Sequence, residues 1–405
     1  MHIALISYYF NDHHSEGIVT AKLARALIEA GHIVTVFGSK IGNSGVFNLS
    51  RNKKNIYSVS SKKTIYWKYF EEIIPNNFIG DKIIAFPRIY ICNNLNDYSW
   101  VQNIVKLFIK THKEEKFDLI HSRFYPHSSH QAVLKIRKKI PEIPWCAYFS
   151  DPWPPNQLPY PYKSKIGYFY SLRMDYDMSS YLKRPGSLIF PSKRLEGYTL
   201  KGKRSRFLSK SFSIPHLSPY WKISKKRNKE KKLVFRYTGI ININRNTDSF
   251  FNGLRLFLLD QKKARNQIKI EFMGRNHAGF NGSALEPPED LKDIVVFHKQ
   301  TTLEIAWDWM LGADILLLLE ADFQEGIFFP SKLSDYLHTQ RPIFALSPSA
   351  GVVSDILKIG GGLRSLPEDS KQIADKINEF YFLWQKNNLI SLKCIEKNWL
   401  QVLPN

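Results

Sequence analysis

Cysteine is nearly absent. The 405 residues hold three, Cys92, Cys146 and Cys394, too few and too scattered for a disulfide framework or a cysteine-built zinc site, and this scarcity points to a reducing compartment. Acidic residues are short as well, with 36 Asp and Glu against 58 Lys and Arg, for a formal net charge of +22. No apolar run approaches the roughly 20 residues of a membrane-spanning helix, and Ile315 to Leu319 reads instead as a buried strand. The G-x-G-x-x-G fingerprint is missing, which excludes the usual dinucleotide-binding turn. The first ten residues are apolar but carry no basic leader or cleavage pattern and break at Asn11-Asp12, so they read as a first strand rather than a secretory signal.

What is present suits two globular domains, since 43% of the chain is hydrophobic and the length allows each domain its own core. The charge asks for a polyanionic partner, and nucleic acid, an anionic membrane and a phosphorylated substrate all satisfy it. Lysines interleave with aromatics from Lys62 to Phe70 and from Tyr160 to Tyr170, a pattern that favours a membrane interface over a duplex groove. An anionic membrane surface is therefore the expected partner and nucleic acid is not.

Along the chain, Ile3–Ser7, a helix over Ile18–Ala30 and Ile33–Phe37 make a βαβ opening of the doubly wound kind, with the loop Asn11 to Gly17 at its strand end. Residues 40–100 lack periodicity. Strands follow at Phe117–His121 and Trp145–Phe149, the latter stopping at Ser150-Asp151-Pro152-Trp153-Pro154-Pro155, then at Ser187–Phe190 and Phe212–Pro215. Pattern divides the chain into 1–216, a basic linker 217–232, a second domain 233–370 and C-terminal helices 371–405 that pack back towards the first domain.

The most informative stretch is Glu325 to Ile356. Pro330 pre-sets a helical turn, Ser331 is placed to cap it, and Leu333, Tyr336 and Leu337 share an apolar face while Lys332 and Asp335 share another. Ile343–Leu346 then reads as a buried strand and Gly351 opens a second helix. Two helix starts beside one strand offer amides to an anion; an ordinary surface pair of Lys332 and Asp335 explains the same spacing.

This stretch resembles the sugar-nucleotide-binding segment of retaining glycosyltransferases of family 4, in which a Pro-Ser-Lys-Leu helix start, an acidic residue and a Gly-Lys-Pro-like turn precede a strand. The resemblance implies an α/β GT-B fold, two Rossmann-like domains facing each other across a cleft. It implies transfer of a hexosyl group from a nucleoside diphosphate sugar to an acceptor hydroxyl, with retention, no metal and no cofactor beyond the donor co-substrate. By position, Lys332 matches the base beside the diphosphate, Asp335 the acid on the ribose, and Ser349, Ala350 and Gly351 the diphosphate loop. Ser331 joins them at the helix start, while Gly239, Arg245 and Gly274 fall where the family approaches the donor. Asp151, with Lys332 and Arg245, is the implied catalytic set, and Gly17, His127, Asp151 and Trp153 lie on the acceptor side. The acceptor implied is a lipid-linked or cell-surface glycan, and the location cytoplasmic, peripheral on the inner membrane face. The pattern departs from the family twice: Asp335 stands where Glu is usual, and a second acid expected eight residues earlier falls on Ile327, with Glu325 nearby.

Two metal motifs carry little. His121, His127 and His130 have no carboxylate at ligand spacing, and Asp175-Tyr-Asp177 lies in a helical run where two side chains two apart diverge. A basic, non-catalytic binding protein of the same fold is the alternative reading, and the missing acid at Ile327 favours it slightly.

Overall fold

The computed structural model describes residues 1–10, 14–41, 56–58, 93–165, 168–218, 232–242, 244–245, 247–277 and 284–392. The lysine–aromatic stretch 62–70, most of the expected linker and residues 393–405 of the expected C-terminal helices lie outside them. The chain forms two compact units: Met1–Asp151 with Asp175–Ile189 and Phe207–Phe212, and Pro152–Met174 with Phe190–Arg206 and Ser213–Asn405. This partition interleaves, whereas the sequence reading assigned everything up to residue 216 to one domain.

The N-terminal sheet has seven strands, β1 (His2–Ile6), β2 (Ile33–Gly38), β3 (Ile56–Ser58), β4 (Leu119–Arg123), β5 (Trp145–Tyr148), β6 (Ser187–Phe190) and β7 (Ser211–Ser213). Their order is β3-β2-β1-β4-β5-β6-β7, and β1 pairs in parallel with both β2 and β4. Parallel strands need crossovers, and helix α1 (Ser15–Glu29) supplies the first. Ile3, Leu5, Ile6, Val36 and Ile120 are buried, as a parallel sheet covered on both faces requires.

The C-terminal sheet repeats the plan with β8 (Leu233–Thr238), β9 (Ile268–Met273), β10 (Val295–His298), β11 (Ile315–Leu319), β12 (Ile343–Leu346) and β13 (Gly362–Ser365), ordered β10-β9-β8-β11-β12-β13. In both sheets the order reverses beside the first strand, and in doubly wound folds that crevice at the strand ends is where ligands bind. Two helices, α2 (Thr247–Asp260) and α3 (Ser370–Gln385), pack together on this sheet. Gly253 permits the contact, because a Cβ there would lie 2.5 Å from Ile373 Cγ2. The C-terminal helix thus contributes Ile373, Ile377 and Phe380 to the second unit's core.

Candidate functional site

In the second unit, β8 ends at Thr238 and the chain turns at Gly239, whose φ of +127° suits glycine. Gly274, with φ +145°, ends β9 beside it. A Cβ on Gly274 would lie 2.0 Å from Gly239 O, and one on Gly239 would lie 2.5 Å from Lys332 Nζ. Both positions therefore demand glycine, and the two backbones are exposed to each other and to the lysine. The parallel pair Ile241–Asn242 with Asn276–His277 ties the two loops together.

Lys332 approaches this turn from helix α4 (Leu333–Thr339). Its ammonium donates to Thr238 O and lies 3.7 Å from the centroid of the Tyr237 ring. Arg245 donates to the Tyr237 hydroxyl and to Ile240 O at 2.7 Å. Burial first, and then the charge of Arg245, hold the Lys332 ammonium well below its usual pKa. Two cationic groups converging on a low-dielectric turn is an arrangement that a bound anion would stabilise.

Helix α4 differs in detail from the expected one. Its N-cap is Lys332, with no side-chain capping bond, because Leu333 N already donates to Pro330 O at 2.9 Å; Ser331 is not the cap. Leu333, Tyr336 and Leu337 are buried as expected, but so is Asp335, at 5% exposure. Ser218 Oγ donates to Asp335 Oδ1 at 3.3 Å. A solvated Lys332–Asp335 surface pair is thereby ruled out.

The acid sought at Ile327 is elsewhere. Ile327 is a core residue at 1% exposure whose carbonyl accepts from Ser192 Oγ at 2.9 Å. Glu325 is occupied by Arg194, whose guanidinium also grips Asp355 through two nitrogens at 2.6 and 2.9 Å. Glu320, unassigned by sequence, lies buried at the end of β11 and accepts from Ser347 Oγ at 2.7 Å. Its carboxylate is 3.5 Å from where a Cβ on Gly326 would be, so an acid does reach the expected segment. Burial pushes its pKa up to about 7, against the pull of Ser347 and Arg245. A glutamate directly after the apolar run ILLLL was the available signal.

Gly351 backs this region, bridging to Gly326, and a Cβ on it would meet Gly326 Cα at 2.9 Å. Ser349 is exposed and Ala350 partly so. Ser349 lines an open pocket of about 350 Å³ together with Asp322, Glu368 and Asp369, an acidic lining that suits a diphosphate poorly.

The first unit has its own polar group at the strand ends. The expected loop to Gly17 is shorter than read, because α1 starts at Ser15 with His14 as N-cap, and Gly17 is buried within it. Next to it Glu16 Oε1 accepts from Arg123 Nε at 2.7 Å, both side chains buried, and the guanidinium stacks over the Tyr148 ring at 3.8 Å. Asp151 joins this group through Ser150, whose Oγ lies 3.0 Å from Asp151 Oδ2. Burial, then the neighbouring Glu16, push the Asp151 carboxyl up to about 6, against the Ser150 hydrogen bond. Glu16 and Arg123 were not singled out by sequence.

His127 sits beside Tyr181, 6.5 Å between ring centroids, and burial lowers it to about 4. Trp153 is buried and belongs to the second unit. His121, held near 3 by burial, and His130 are neutral imidazoles in the core. Among the described residues no three His, Cys, Asp or Glu side chains cluster as metal ligands, and no helix is long and apolar enough to cross a membrane.

No protein-family model matches the sequence, and no curated protein does. Solved structures do resemble the fold. A glycosyltransferase from Rickettsia africae ESF-5 aligns with a TM-score of 0.59 and 13% identity over 100% of this chain and 93% of its own. A structure described as trehalose-6-phosphate from E. coli bound with UDP-2-fluoro glucose gives 0.59 and 12% over 100% and 95%. The S. aureus MnaA–UDP structure gives 0.52 and 9% over 98% and 92%. At such identities the likeness carries the fold alone: two Rossmann-like α/β domains of the GT-B type, as the sequence implied.

Proposed function

We propose that the protein is a glycosyltransferase that takes a sugar from a nucleoside diphosphate sugar held by the second unit. The observation that carries this is the convergence of Lys332, Arg245 and the Gly239–Gly274 backbones at the reversal of strand order, with the Glu320 carboxylate near enough for the charge of Arg245 to act on it. A diphosphate there meets two cations in a site of low dielectric, and those charges offset the negative charge that grows on the leaving nucleoside diphosphate. Lys332 and Arg245 supply this without a metal ion. UDP-bound structures among those of like fold support the donor class.

The finer reading follows the resemblance to family 4. Transfer proceeds with retention, the departing phosphate helps take up the acceptor proton, and Asp151 belongs to the acceptor side. The acceptor is a lipid-linked or cell-surface glycan, reached by peripheral attachment to an anionic membrane, which the charge of +22 supports. The test is turnover of UDP-sugar and GDP-sugar panels, with and without EDTA. Donor cleavage that survives the chelator and disappears in Lys332→Met supports the reading; cleavage indifferent to Lys332, or restored only by manganese, contradicts it.

A further inference from the structure

The lysine–aromatic stretch that begins at Tyr160, which its sequence pattern suits to a membrane surface, divides in the structure. Tyr160 is 77% exposed, as a membrane contact would be. Tyr162 is partly buried and packs on Phe323 and Phe328, with ring centroids 5.5 and 6.4 Å away. Those two phenylalanines also pack on each other at 5.5 Å, so the tyrosine ring is held by a closed aromatic group. The segment around it, Pro152–Met174, belongs to the second unit. The short helix Lys193–Thr199 stitches it there: Tyr198 Oη donates to Gln157 O at 2.8 Å, while Arg194 of the same helix grips Asp355 and Glu325 beside the loop that carries Phe328. The Tyr162 hydroxyl is near enough to Arg245 and Tyr237 for its charge to act on both, and among the described residues it makes no hydrogen bond. On the Arg245 guanidinium, Nε is buried with no acceptor. A buried, unsatisfied N–H is costly and asks for an oxygen.

We propose that Tyr162 is a third ligand of the donor diphosphate, its hydroxyl donating to a phosphate oxygen that Arg245 also binds. The assignment rests on the donor site proposed above and adds a residue that neither the spacing around Lys332 nor the family resemblance supplied. The chemistry favours a phenol at this position. Burial and then the charge of Arg245 already hold the Lys332 ammonium below its usual pKa, and a third cation would deepen that repulsion. A neutral hydroxyl adds a directed donor without adding charge. Donating to a phosphate oxygen, it makes a charge-assisted hydrogen bond, and the same anion gives Arg245 Nε the acceptor it lacks. The packing of the ring on Phe323 and Phe328 fixes the hydroxyl before the ligand arrives, so little ordering is left for binding to offset.

Titration calorimetry on the full chain tests this with UDP, GDP, ADP and CDP, taking whichever binds tightest and comparing it with its parent nucleoside. Tyr162→Phe keeps the ring and its packing and removes only the hydroxyl. It should weaken binding of the diphosphate by about tenfold or more, the scale of a lost hydrogen bond to a charged group, and leave the nucleoside within about twofold. Tyr160→Ala, which removes the exposed ring two residues away, should leave both unchanged. Equal diphosphate affinities for Tyr162→Phe and the wild type would overturn the assignment. So would equal losses in Tyr162→Phe and Tyr160→Ala, or a loss for the nucleoside as large as that for the diphosphate. A diphosphate whose binding is lost in Lys332→Met and kept in Tyr162→Phe leaves the donor site standing without this residue. If none of the four binds the wild type, the donor site itself falls, and this assignment with it.

Discussion

Lys332 and Thr238, 94 residues apart, meet where β8 ends: the lysine ammonium donates to the threonine carbonyl. That carbonyl and the Tyr237 ring hold the side chain in place before any ligand arrives. The arrangement makes Lys332 the residue whose loss is felt first. Lys332→Met should weaken UDP affinity by about 10- to 150-fold, corresponding to about 1.5–3 kcal/mol for a hydrogen bond to a charged group.

Proton uptake should accompany binding. Burial and Arg245 hold the Lys332 pKa below its usual value in the free protein, and a diphosphate would raise it. Between the free and bound values, binding must take up a proton. Titration calorimetry near pH 8 in buffers of differing ionisation heat should show a buffer-dependent enthalpy that Lys332→Met abolishes; a buffer-independent enthalpy would count against this role.

Glu320 links the site to the pH dependence of stability. Its folded pKa of about 7 lies above the ordinary 4.5, so its stabilising contribution is full below about pH 4.5 and is lost as pH rises through 7. That displacement corresponds to about 3 kcal/mol. Glu320→Gln, which keeps an oxygen for Ser347, should gain up to about that much at pH 8 and little at pH 4.5. Urea melts at the two pH values check this, and equal effects at both would refute it.

The buried Glu16–Arg123 pair should be costly to break. Removing one partner strands the other charge, so Glu16→Leu should cost about 3–5 kcal/mol. Adding Arg123→Met should restore much of the loss, as a double-mutant cycle would reveal. Purely additive losses would mean that the two do not act as a pair.

Glu325 and Glu320 should separate cleanly. The Glu325 carboxylate is engaged by Arg194 and is half-exposed, so Glu325→Ala should leave UDP affinity within about twofold, as surface substitutions do. A larger loss would return the missing family acid to Glu325.

Much of this was legible in the sequence. Ser187–Phe190 and Ile343–Leu346 were bounded correctly, because short apolar runs between turn residues are what a buried parallel strand requires. Strand Gly362–Ser365 escaped, since it follows Gly360-Gly361 and buries only Ser365. Lys332, Gly239, Gly274 and Arg245 were carried over from the family resemblance, and the structure brings them together. What sequence could not give is pairing at a distance. Arg123 and Glu16 are 107 residues apart, and Glu320 lies outside the spacing counted back from Asp335. Ser331 was misread as a cap because Pro330 already supplies an acceptor, through its carbonyl, for the first helical amide.

The central claim is a nucleoside diphosphate site in the second unit, and thermal unfolding with UDP, GDP, ADP and CDP tests it most directly. A ligand at 100 times its dissociation constant adds about 2.7 kcal/mol. At least one nucleotide should therefore raise the midpoint of the wild type clearly and that of Lys332→Met far less. If none shifts the wild type, or if the variant responds equally, the account of this site is wrong.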